Sequence, residues 1–442
     1  MVRRLVFDIS ASALRGPAAG GIARVESELA RRAHHCWKGQ VAFTCFSAEE
    51  RRFFPVDTES ASRVLTEPQS RGRLQLQAKT VDPIRHPKRF LARKLADLLP
   101  LDDPRALLQQ VGERVFGALG RDEYKWHRRA RRIRESEFRF EVDDVLVSAG
   151  PDWIHGQAPY IAALKQKVGF KYLPVCYDII PLQYPQFCTQ NHVELFQRHF
   201  DAVLDAADCL MCISDTVRKD VHAHRPGLST AIDFFHLGVD GPVGGKSVPL
   251  PDGLVGRPYV LLVAAIEPRK NHRLALEVWR HLLDERRIPS RAKLVFVGAV
   301  APECQVLLDE IEDGAIMKDR VIHFPGVGDD LLHTLYENCL FSILPTHCEG
   351  FGLTLWESLN HGKYCIASNS GSLPEVAPPF AKLLDPHDRE GWADEIADLI
   401  NNATRRQSLE TAIKREWRAQ TWDEAAATFY RKIALAVGSG DV

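Results

Sequence analysis

The chain has 442 residues, of which 57 are basic and 58 acidic, so its formal net charge is −1. This length exceeds what one hydrophobic core normally serves and predicts two domains. The near-neutral charge balance argues against a surface built for nucleic acid. No apolar stretch approaches the roughly 20 residues that span a bilayer, and the ten cysteines are scattered, several within apolar runs, as suits a reducing cytosol. We therefore expect a cytoplasmic protein that does not cross the membrane.

The N-terminal half begins with a predicted strand at 4–9, a glycine-rich loop and an amphipathic helix over about 22–33. Further apolar strands are predicted, separated by helical stretches, at 145–148, 172–177 and 209–213. Strands that alternate with helices indicate a parallel sheet covered by helices on both faces. We assign residues 1–240 to a first, Rossmann-like domain.

A basic segment interrupts this first domain around residues 84–134. It contains fourteen Lys and Arg against six Asp and Glu, and around 87–99 its basic and apolar residues recur at helical spacing. One interpretation is a solvated helical insertion. The other is a surface that docks on anionic lipid or on an acidic lipid-linked acceptor. The second interpretation predicts a protein that is peripheral at the inner face of the membrane.

A stretch rich in glycine and proline, residues 241–257, predicts a linker. After it the alternation restarts, with strands predicted at 259–264, 293–297, 321–324 and 341–344 and helices between them. This pattern predicts a second doubly wound α/β domain over 258–420, followed by a final helix within 421–442. Ligands of open α/β sheets bind beyond the carboxyl ends of the strands, so a cleft between two such domains is the expected site.

The strongest chemical signal follows the strand predicted at 341–344, where Glu349 opens a loop that leads into a helical run. Glycines at 350 and 352 allow the backbone to approach a ligand closely, and a helix that begins near Leu353 directs free N–H groups at a phosphate. If the helix is regular, Glu357 lies more than a turn beyond Glu349, so the two carboxylates do not form a close catalytic pair. We assign Glu349 to the transferred sugar and Glu357 to the vicinal ribose hydroxyls.

Two adjacent cations, Arg269 and Lys270, follow the first strand of the second domain. At a strand-to-helix turn facing the cleft, such a pair is placed to neutralise a diphosphate leaving group. The loop 323–328, which contains Val327, ends another strand and is placed to contact a purine or pyrimidine base through its backbone.

Together these motifs resemble family 4 of the retaining glycosyltransferases, which share the two-domain GT-B architecture. The resemblance rests on Glu349 to Glu357, the block Pro268-Arg269-Lys270-Asn271, the loop 370–376 and the segment 237–240. It implies transfer of a hexose, with retention, from a nucleotide diphosphate sugar to a hydroxyl of a glycan or lipid-linked acceptor. It further implies that the first domain, 1–240, binds the acceptor, that the second, 258–420, binds the nucleotide sugar, and that the final helix, 421–442, crosses back to the first domain. It also implies that no metal or other cofactor is required, and the chain has no Asp-x-Asp motif.

The resemblance supplies the remaining candidate residues. Gly20 and Gly21 match the glycine loop of the family, and the segment 177–185 resembles a block in bacterial mannosyltransferases of surface polysaccharide assembly. The catalytic residues expected are Glu349, Lys270, Arg269 and Asp178. The donor-binding residues expected are Gly20, Gly21, Tyr177, Val327, Gly350, Phe351, Gly352, Leu353, Thr354 and Glu357.

The segment 177–185 favours GDP-mannose as the donor. A UDP-sugar-dependent transferase of the same family is the alternative. A sugar-nucleotide epimerase and a non-catalytic binding protein of the same architecture also stay open. Release of sugar-nucleotide isomers without acceptor would identify an epimerase, and neither transfer nor hydrolysis of any donor would identify a binding protein.

Overall fold

The computed structural model of the chain describes residues 3–15, 21–66, 137–240, 246–313 and 317–438. Gly20, the basic segment 84–134 and the first residues of the predicted linker 241–257 lie outside these ranges. Contacts divide the described residues into two compact units. One takes its residues from Met1–Pro174, His199–Asp208 and Val437–Val442, and the other from Val175–Arg198 and Cys209–Ala436. The domain boundaries inferred from the sequence stay a prediction.

The first sheet has seven strands. They are β1 Leu5–Asp8, β2 Val41–Ser47, β3 Arg52–Val56, β4 Val145–Ser148, β5 Lys171–Cys176, β6 Cys209–Cys212 and β7 Ala231–Phe234. Their order is β3-β2-β1-β4-β5-β6-β7, and every neighbouring pair is parallel except β2 with β3. Strands β1 and β4 are buried along their whole length, which explains their continuous apolar sequences, because a parallel strand is covered on both faces.

The helices that follow these strands are α1 Ser10–Arg15, α2 Gly21–Cys36, α3 Thr58–Thr66, α4 Ala158–Val168, α5 Ile180–Gln183, α6 Gln190–Ala206 and α7 Asp215–His224. Helix α2 buries Val25, Leu29 and Ala33, which recur at the spacing of one helix face. Helix α7 begins after Ser214, whose hydroxyl accepts the backbone N–H of Val217 and so caps the helix.

The second sheet has six strands, all parallel. They are β8 Tyr259–Val263, β9 Lys293–Val297, β10 Val321–Phe324, β11 Phe341–Leu344, β12 Cys365–Ser368 and β13 Ala381–Leu384, in the order β10-β9-β8-β11-β12-β13. This is the strand order of a doubly wound nucleotide-binding sheet, in which the direction of winding reverses between β8 and β11. The predicted α/β fold with two doubly wound sheets is confirmed.

The helices of this part of the chain are α8 His272–Asp284, α9 Gln305–Asp313, α10 Asp329–Asn338, α11 Leu353–Asn360, α12 Leu373–Val376, α13 Arg389–Asn401, α14 Ala403–Glu416 and α15 Trp422–Ala436. Short 3-10 turns lie at Asp152–Ile154, Pro185–Phe187, Pro268–Lys270 and Pro302–Cys304. Helix α15 packs on β7 and the segment after it, where the rings of Phe235 and Phe429 are 4.8 Å apart. Among the described residues, every helix is too short or too polar to cross a bilayer.

Candidate functional site

The site is built on the loops that follow β8 and β11, two neighbouring strands of the second sheet. The backbone N–H of His347, in the loop after β11, donates to the carbonyl of Arg269 at 2.8 Å. The hydroxyl of Thr346 donates to the same carbonyl at 3.1 Å and also lies 3.0 Å from the carbonyl of Cys348. The two loops are therefore held together by their backbones before any charged side chain contributes.

A cluster of three charges lies on these loops. Lys270 Nζ is 2.5 Å from Glu349 Oε1, and Arg269 Nη1 is 3.2 Å from Glu349 Oε2. Arg269 Nη1 also donates to the carbonyl of Cys348 at 2.7 Å. Glu349 is only 8% exposed. The residue assigned to the sugar and the two cations assigned to the diphosphate are thus direct neighbours, with a combined charge of about +1 when all three are ionised.

The electrostatics favour the charged forms of Glu349 and Arg269. Burial alone would raise the pKa of Glu349, but the charges of Lys270 and Arg269 outweigh it and hold the pKa below its usual value. Burial likewise disfavours the charged form of Arg269, yet the nearby carboxylates of Glu349, Glu267 and Asp178 raise its pKa. Arg269 and Glu349 therefore stabilise each other in their charged forms within the fold.

Asp178, the fourth predicted catalytic residue, lies near this cluster in the same unit. Its Oδ1 accepts the backbone N–H of Ile180 at 3.0 Å, at the start of α5. Burial raises the pKa of Asp178, and the charge of Arg269 offsets only part of the rise. The preceding residue, Tyr177, is 8% exposed, and its carbonyl oxygen lies 2.2 Å from the position that a β-carbon at residue 350 would take.

Two serine hydroxyls hold the backbone at Glu349 and Gly350. Ser372 donates its hydroxyl to the carbonyl of Glu349 at 2.6 Å, and its backbone N–H donates to the same oxygen at 2.9 Å. Ser214 donates its hydroxyl to the carbonyl of Gly350 at 3.0 Å. A β-carbon at position 350 would collide with the carbonyl oxygen of Tyr177. Glycine is required here because two backbone segments of the protein approach closely. The sequence had predicted that this glycine allows a ligand to approach, whereas the neighbour observed is the carbonyl of Tyr177.

Gly352 ends this loop with φ +96° and is followed directly by helix α11, which begins at Leu353. This positive φ explains the second glycine of the motif, because residues with a β-carbon rarely adopt it. Phe351 is buried and stacks edge-on against Trp356 at 5.0 Å between ring centroids, while Thr354 is partly exposed. The helix begins where the sequence predicted.

Glu357, one turn into α11, has a set of partners different from that of Glu349. Tyr336 Oη donates to Glu357 Oε2 at 3.4 Å, and His361 Nδ1 lies 2.7 Å from the carbonyl of Glu357. Glu357 is 7% exposed. The two glutamates are thus held by separate groups, and their binding of different parts of one ligand stays a prediction.

Three predicted donor-binding residues are not among the partners described above. Gly21 is the first residue of α2 in the first unit, is exposed and has φ +53°. Val327 lies in the loop between β10 and α10 and packs against the apolar cluster that includes Tyr259 and Leu335. Gly20 lies outside the described residues. Their roles stay predictions.

The sequence interpretation missed the role of Glu375, which joins the start of α7 to His236 in the segment after β7. Its carboxylate accepts the backbone N–H groups of Asp215 at 2.8 Å and Thr216 at 2.7 Å, the Thr216 hydroxyl at 2.7 Å, and His236 Nε2 at 2.6 Å. Burial would raise the pKa of Glu375, but these donors lower it to about 2. The only sequence signal was its place in the loop 370–376, which gave a family resemblance and no role.

A second group of residues missed from sequence is a set of buried carboxyls in the first unit, made of Asp8, Glu26 and Asp152, each at most 5% exposed. Glu26 accepts the backbone N–H groups of Ser12 at 2.7 Å and Ala11 at 3.2 Å. Burial, assisted by the charge of Asp8, raises the pKa of Glu26 to about 8. Among the described residues, no group of three or more His, Cys, Asp or Glu is arranged to hold a metal ion.

Comparison with known families gives one match, over residues 253–416, to the model described as "Glycosyl transferases group 1". The matched segment contains all three residues of the charge cluster and Glu357. It also contains Glu375 and Ser372, the latter of which binds the carbonyl of Glu349.

Two relatives from Escherichia coli share weak but extended similarity with this chain. The serotype-specific mannosyltransferase WbdA is 26% identical over 248 residues, which are 53% of this chain and 30% of WbdA. The O-antigen chain mannosyltransferase B is 26% identical over 248 residues, which are 52% of this chain and 61% of that protein. The match therefore spans less than two thirds of either relative.

Among solved structures, the Anabaena protein Alr3699/HepE in complex with UDP and glucose superimposes with a TM-score of 0.60. The superposition covers 99% of this chain and 100% of HepE at 12% sequence identity. Identity this low establishes a common fold and nothing about the ligand.

Proposed function

We propose that this chain, a group 1 glycosyltransferase by its residues 253–416 and its fold, moves a hexose with retention from a nucleotide diphosphate donor to a hydroxyl of a glycan or lipid-linked acceptor. The resemblance inferred from its motifs is confirmed by the family model and the relatives. The observation that carries the proposal is the contact of Glu349 with both Lys270 and Arg269. A carboxylate that can accept hydrogen bonds from sugar hydroxyls thus lies next to two cations that can bind phosphate.

In the proposed reaction the acceptor hydroxyl attacks the anomeric carbon from the face that the diphosphate leaves. The bond between the anomeric carbon and the phosphate oxygen breaks, and a bond to the acceptor oxygen forms. The acceptor proton passes to the departing phosphate oxygen, so the enzyme supplies no nucleophile. Charge develops on the diphosphate in the transition state, and preorganised cations stabilise such charge most strongly.

The residues of the site divide this work. Arg269 and Lys270 neutralise the diphosphate, with the free N–H groups at the start of α11 as additional donors. Glu349 orients hydroxyls of the transferred sugar. We assign Asp178 the role of balancing the charge of Arg269.

The donor is proposed to be GDP-mannose. Support comes from the segment 177–185 and from the E. coli relatives, both named as mannosyltransferases. A UDP-sugar is the alternative, since UDP-sugar-dependent transferases belong to the family that the motifs resemble. The epimerase and the non-catalytic protein predict no glycoside product, so analysis of the products separates them from the transferase.

We also propose that transfer requires no metal or other cofactor, because Arg269 and Lys270 supply the positive charge that a metal would otherwise bring to the diphosphate. Undiminished transfer in the presence of EDTA is the expected result. Loss of transfer in EDTA, restored by Mg²⁺ or Mn²⁺, would contradict this part of the proposal.

The acceptor side of the proposal rests on sequence. The basic segment 84–134, which carries an excess of eight positive charges, suits a peripheral protein at the inner face of the membrane that meets a lipid-linked acceptor. Sedimentation with vesicles of phosphatidylglycerol tests it, with vesicles of phosphatidylcholine as the control.

The central experiment is thermal unfolding with GDP, UDP and ADP and with their sugar derivatives, followed by a transfer assay. We expect GDP and GDP-mannose to raise the unfolding temperature, and Glu357→Gln to abolish that rise. Glu303→Gln changes an exposed glutamate in the 3-10 turn after β9 and should leave the rise in unfolding temperature intact. A rise with UDP alone selects the alternative donor, and no rise with any nucleotide contradicts the proposed function.

A further inference from the structure

Two aromatic rings stack beside the charge cluster. Phe187 ends the 3-10 turn Pro185–Phe187, and its ring lies nearly parallel to that of His347, with centroids 4.9 Å apart and planes 10° apart. His347 lies in the loop after β11, so the contact joins the segment after β5 to a loop of the second sheet, within one compact unit. Stacking of this kind is a favoured arrangement of aromatic pairs.

The loop that carries His347 holds Arg269 at two points. The backbone N–H of His347 donates to the carbonyl of Arg269 at 2.8 Å, and the carbonyl of Cys348 accepts a hydrogen bond from Arg269 Nη1 at 2.7 Å. One bond fixes the backbone of Arg269, and the other fixes its guanidinium group. The position of this cation therefore depends on where residues 347 and 348 lie.

The segment after β5 flanks the same two residues. The ring of Phe187 contacts His347, and the ring of Tyr184 stacks on Phe187 with centroids 6.2 Å apart. Burial raises the pKa of Tyr184, and the neighbouring thiol of Cys348 adds to the rise. Each of the two residues that hold Arg269 thus has an aromatic side chain from one short segment next to it.

This segment also carries a charged partner of Arg269. Burial lowers the pKa of Arg269, but three nearby carboxylates, that of Asp178 among them, raise it above its usual value. Asp178 lies at the start of the segment, nine positions before Phe187. The segment therefore acts on Arg269 through a charge as well as through its rings.

A third loop reaches the turn that contains Arg269. His387, in the loop after β13, lies 5.1 Å from His347 between ring centroids. The carbonyl of the residue before it, Pro386, accepts a hydrogen bond from Asn271 Nδ2 at 3.2 Å. His347 thus joins Phe187 to a second loop that is bound to the same turn.

The stacked rings lie outside the buried core. Phe187 and His347 are both partly exposed. A contact of this kind orders a loop but contributes little of the buried apolar area that stabilises a fold. We therefore expect loss of the ring to change the site more than the global stability.

We infer that Phe187 is a positioning residue for Arg269 and that it acts by stacking on His347. The inference rests on the proposed function, because it takes Arg269 to stabilise the departing diphosphate. Without the ring, residues 347 and 348 gain freedom, and Arg269 is held less firmly. A cation that must first be oriented stabilises the transition state less than one that is preorganised.

The test compares Phe187→Ala with the wild type in a transfer assay at saturating donor. We expect kcat to fall about three- to tenfold, the factor that corresponds to one stacked aromatic pair. The dissociation constant of the donor should change less, because the charge that Arg269 meets is greatest in the transition state. Phe187→Tyr keeps the ring and should retain the wild-type kcat.

Phe138→Ala is the matched control, because it removes another partly exposed ring, which packs edge-on against Phe140 in the first unit with centroids 4.8 Å apart. Its kcat should equal that of the wild type. If Phe187→Ala also has the wild-type kcat, the inference is wrong while the proposed function stands. If the wild type transfers sugar from no donor, the proposed function fails, and the inference falls with it.

A second measurement separates positioning from a general loss of packing. Arg269→Ala removes the group that Phe187 is inferred to position, so adding Phe187→Ala should lower kcat no further. A radiolabelled donor keeps this slow variant measurable, since loss of one stabilising group costs about 10²- to 10³-fold in kcat. If Phe187→Ala lowers kcat by the same factor with and without Arg269, Phe187 does not act through Arg269.

Phe187→Leu covers the case in which Phe187→Ala does not fold, which thermal unfolding of each variant detects. Leucine retains apolar packing but has no flat ring to stack on His347. We expect its kcat to fall and its unfolding temperature to stay close to that of the wild type. A folded Phe187→Leu with the wild-type kcat would overturn the inference.

Discussion

Lys270 and Glu349 form the shortest charge contact in the loops after β8 and β11, with Nζ and Oε1 2.5 Å apart. The ammonium group proposed to meet the diphosphate is thus already bound to the carboxylate proposed to meet the sugar. A bound sugar nucleotide would separate Lys270 from Glu349, with its phosphate next to Lys270 and its sugar hydroxyls next to Glu349. A nucleotide without a sugar would give a partner to Lys270 but none to Glu349.

Replacement of Lys270 by alanine is expected to reduce kcat by about 10²- to 10³-fold, the usual cost of removing one preorganised stabilising group. The dissociation constant of the donor should change less, because charge on the diphosphate is greatest in the transition state. Arg273→Ala is the control, since Arg273 is an exposed cation on α8 paired with Glu310. Initial rates at saturating donor measure kcat for both variants. A kcat of Lys270→Ala equal to that of Arg273→Ala would show that Lys270 does not contribute to catalysis.

Replacement of Gly350 by alanine is expected to lower the free energy of unfolding by about 1–3 kcal/mol, the usual cost of overpacking. The new methyl group would meet the carbonyl oxygen of Tyr177 and the β-carbon of Asp178. Gly326→Ala is the control, because no atom lies within 4 Å of the position that its β-carbon would take. Denaturant unfolding compares the two variants, and equal stabilities would show that the contact at Gly350 is not tight.

Glu26 gives the first unit a distinct dependence of stability on pH. Because its pKa rises from 4.5 in the unfolded chain to about 8 in the fold, its neutral form favours folding. That contribution is complete below about pH 4.5 and is lost as pH rises to about 8. We expect unfolding midpoints to fall over this range in the wild type and to fall much less in Glu26→Gln.

Glu59→Gln is the control for this measurement, since Glu59 is an exposed glutamate on α3. It should retain the full decline of the wild type. A decline in Glu26→Gln as steep as in Glu59→Gln would show that Glu26 does not hold the proton.

Replacement of His272 by leucine is expected to raise the free energy of unfolding by about 1 kcal/mol, because it removes buried polar atoms that no hydrogen bond satisfies. His272 is 2% exposed, and neither ring nitrogen has a partner among the described residues. Its ring meets Phe296 edge-on at 4.9 Å between centroids, an apolar contact that leucine retains. Denaturant unfolding at pH 7 measures the change.

The same variant should differ from the wild type in acid. Burial, with the charges of Lys270 and His323, lowers the pKa of His272 to about 3, so its contribution to stability is present above pH 6.5 and is lost as pH falls towards 3. We expect the gain from His272→Leu to grow between pH 7 and pH 5. His222→Gln, at an exposed histidine of α7, is the control. A gain that stays constant with pH would contradict the assignment.

The fold could be predicted largely from the sequence, because its parallel strands are buried on both faces and therefore appear as continuous apolar runs. Strands β8, β9 and β11 were located to within about one residue for this reason. Glu349, Arg269 and Lys270 could be selected because each stands where an apolar strand gives way to a loop. Their direct contact could not, since Lys270 and Glu349 are 79 residues apart in the chain.

Glu375 and Glu26 were missed for a different physical reason. A charged or titratable residue on a helix normally faces solvent, and the local sequence does not reveal the buried partner that makes it an exception. The four donors of Glu375 come from α7 and from the segment after β7, both more than 130 residues away. Such networks depend on the tertiary structure and are visible only once the strands are assembled.

Ser372 and Ser214 donate hydrogen bonds to the consecutive carbonyls of Glu349 and Gly350. These bonds limit which substitutions could change the choice of donor. Backbone fixed in this way cannot widen to admit a different sugar, so libraries randomised at Glu349, Gly350 or either serine should yield mostly inactive proteins. Selection for a new donor should instead enrich changes at partly exposed positions beside this rigid loop, such as Thr354 and His347. Deep mutational scanning with two competing donors would show loss of activity at the fixed positions and changes in donor preference at the partly exposed positions beside them.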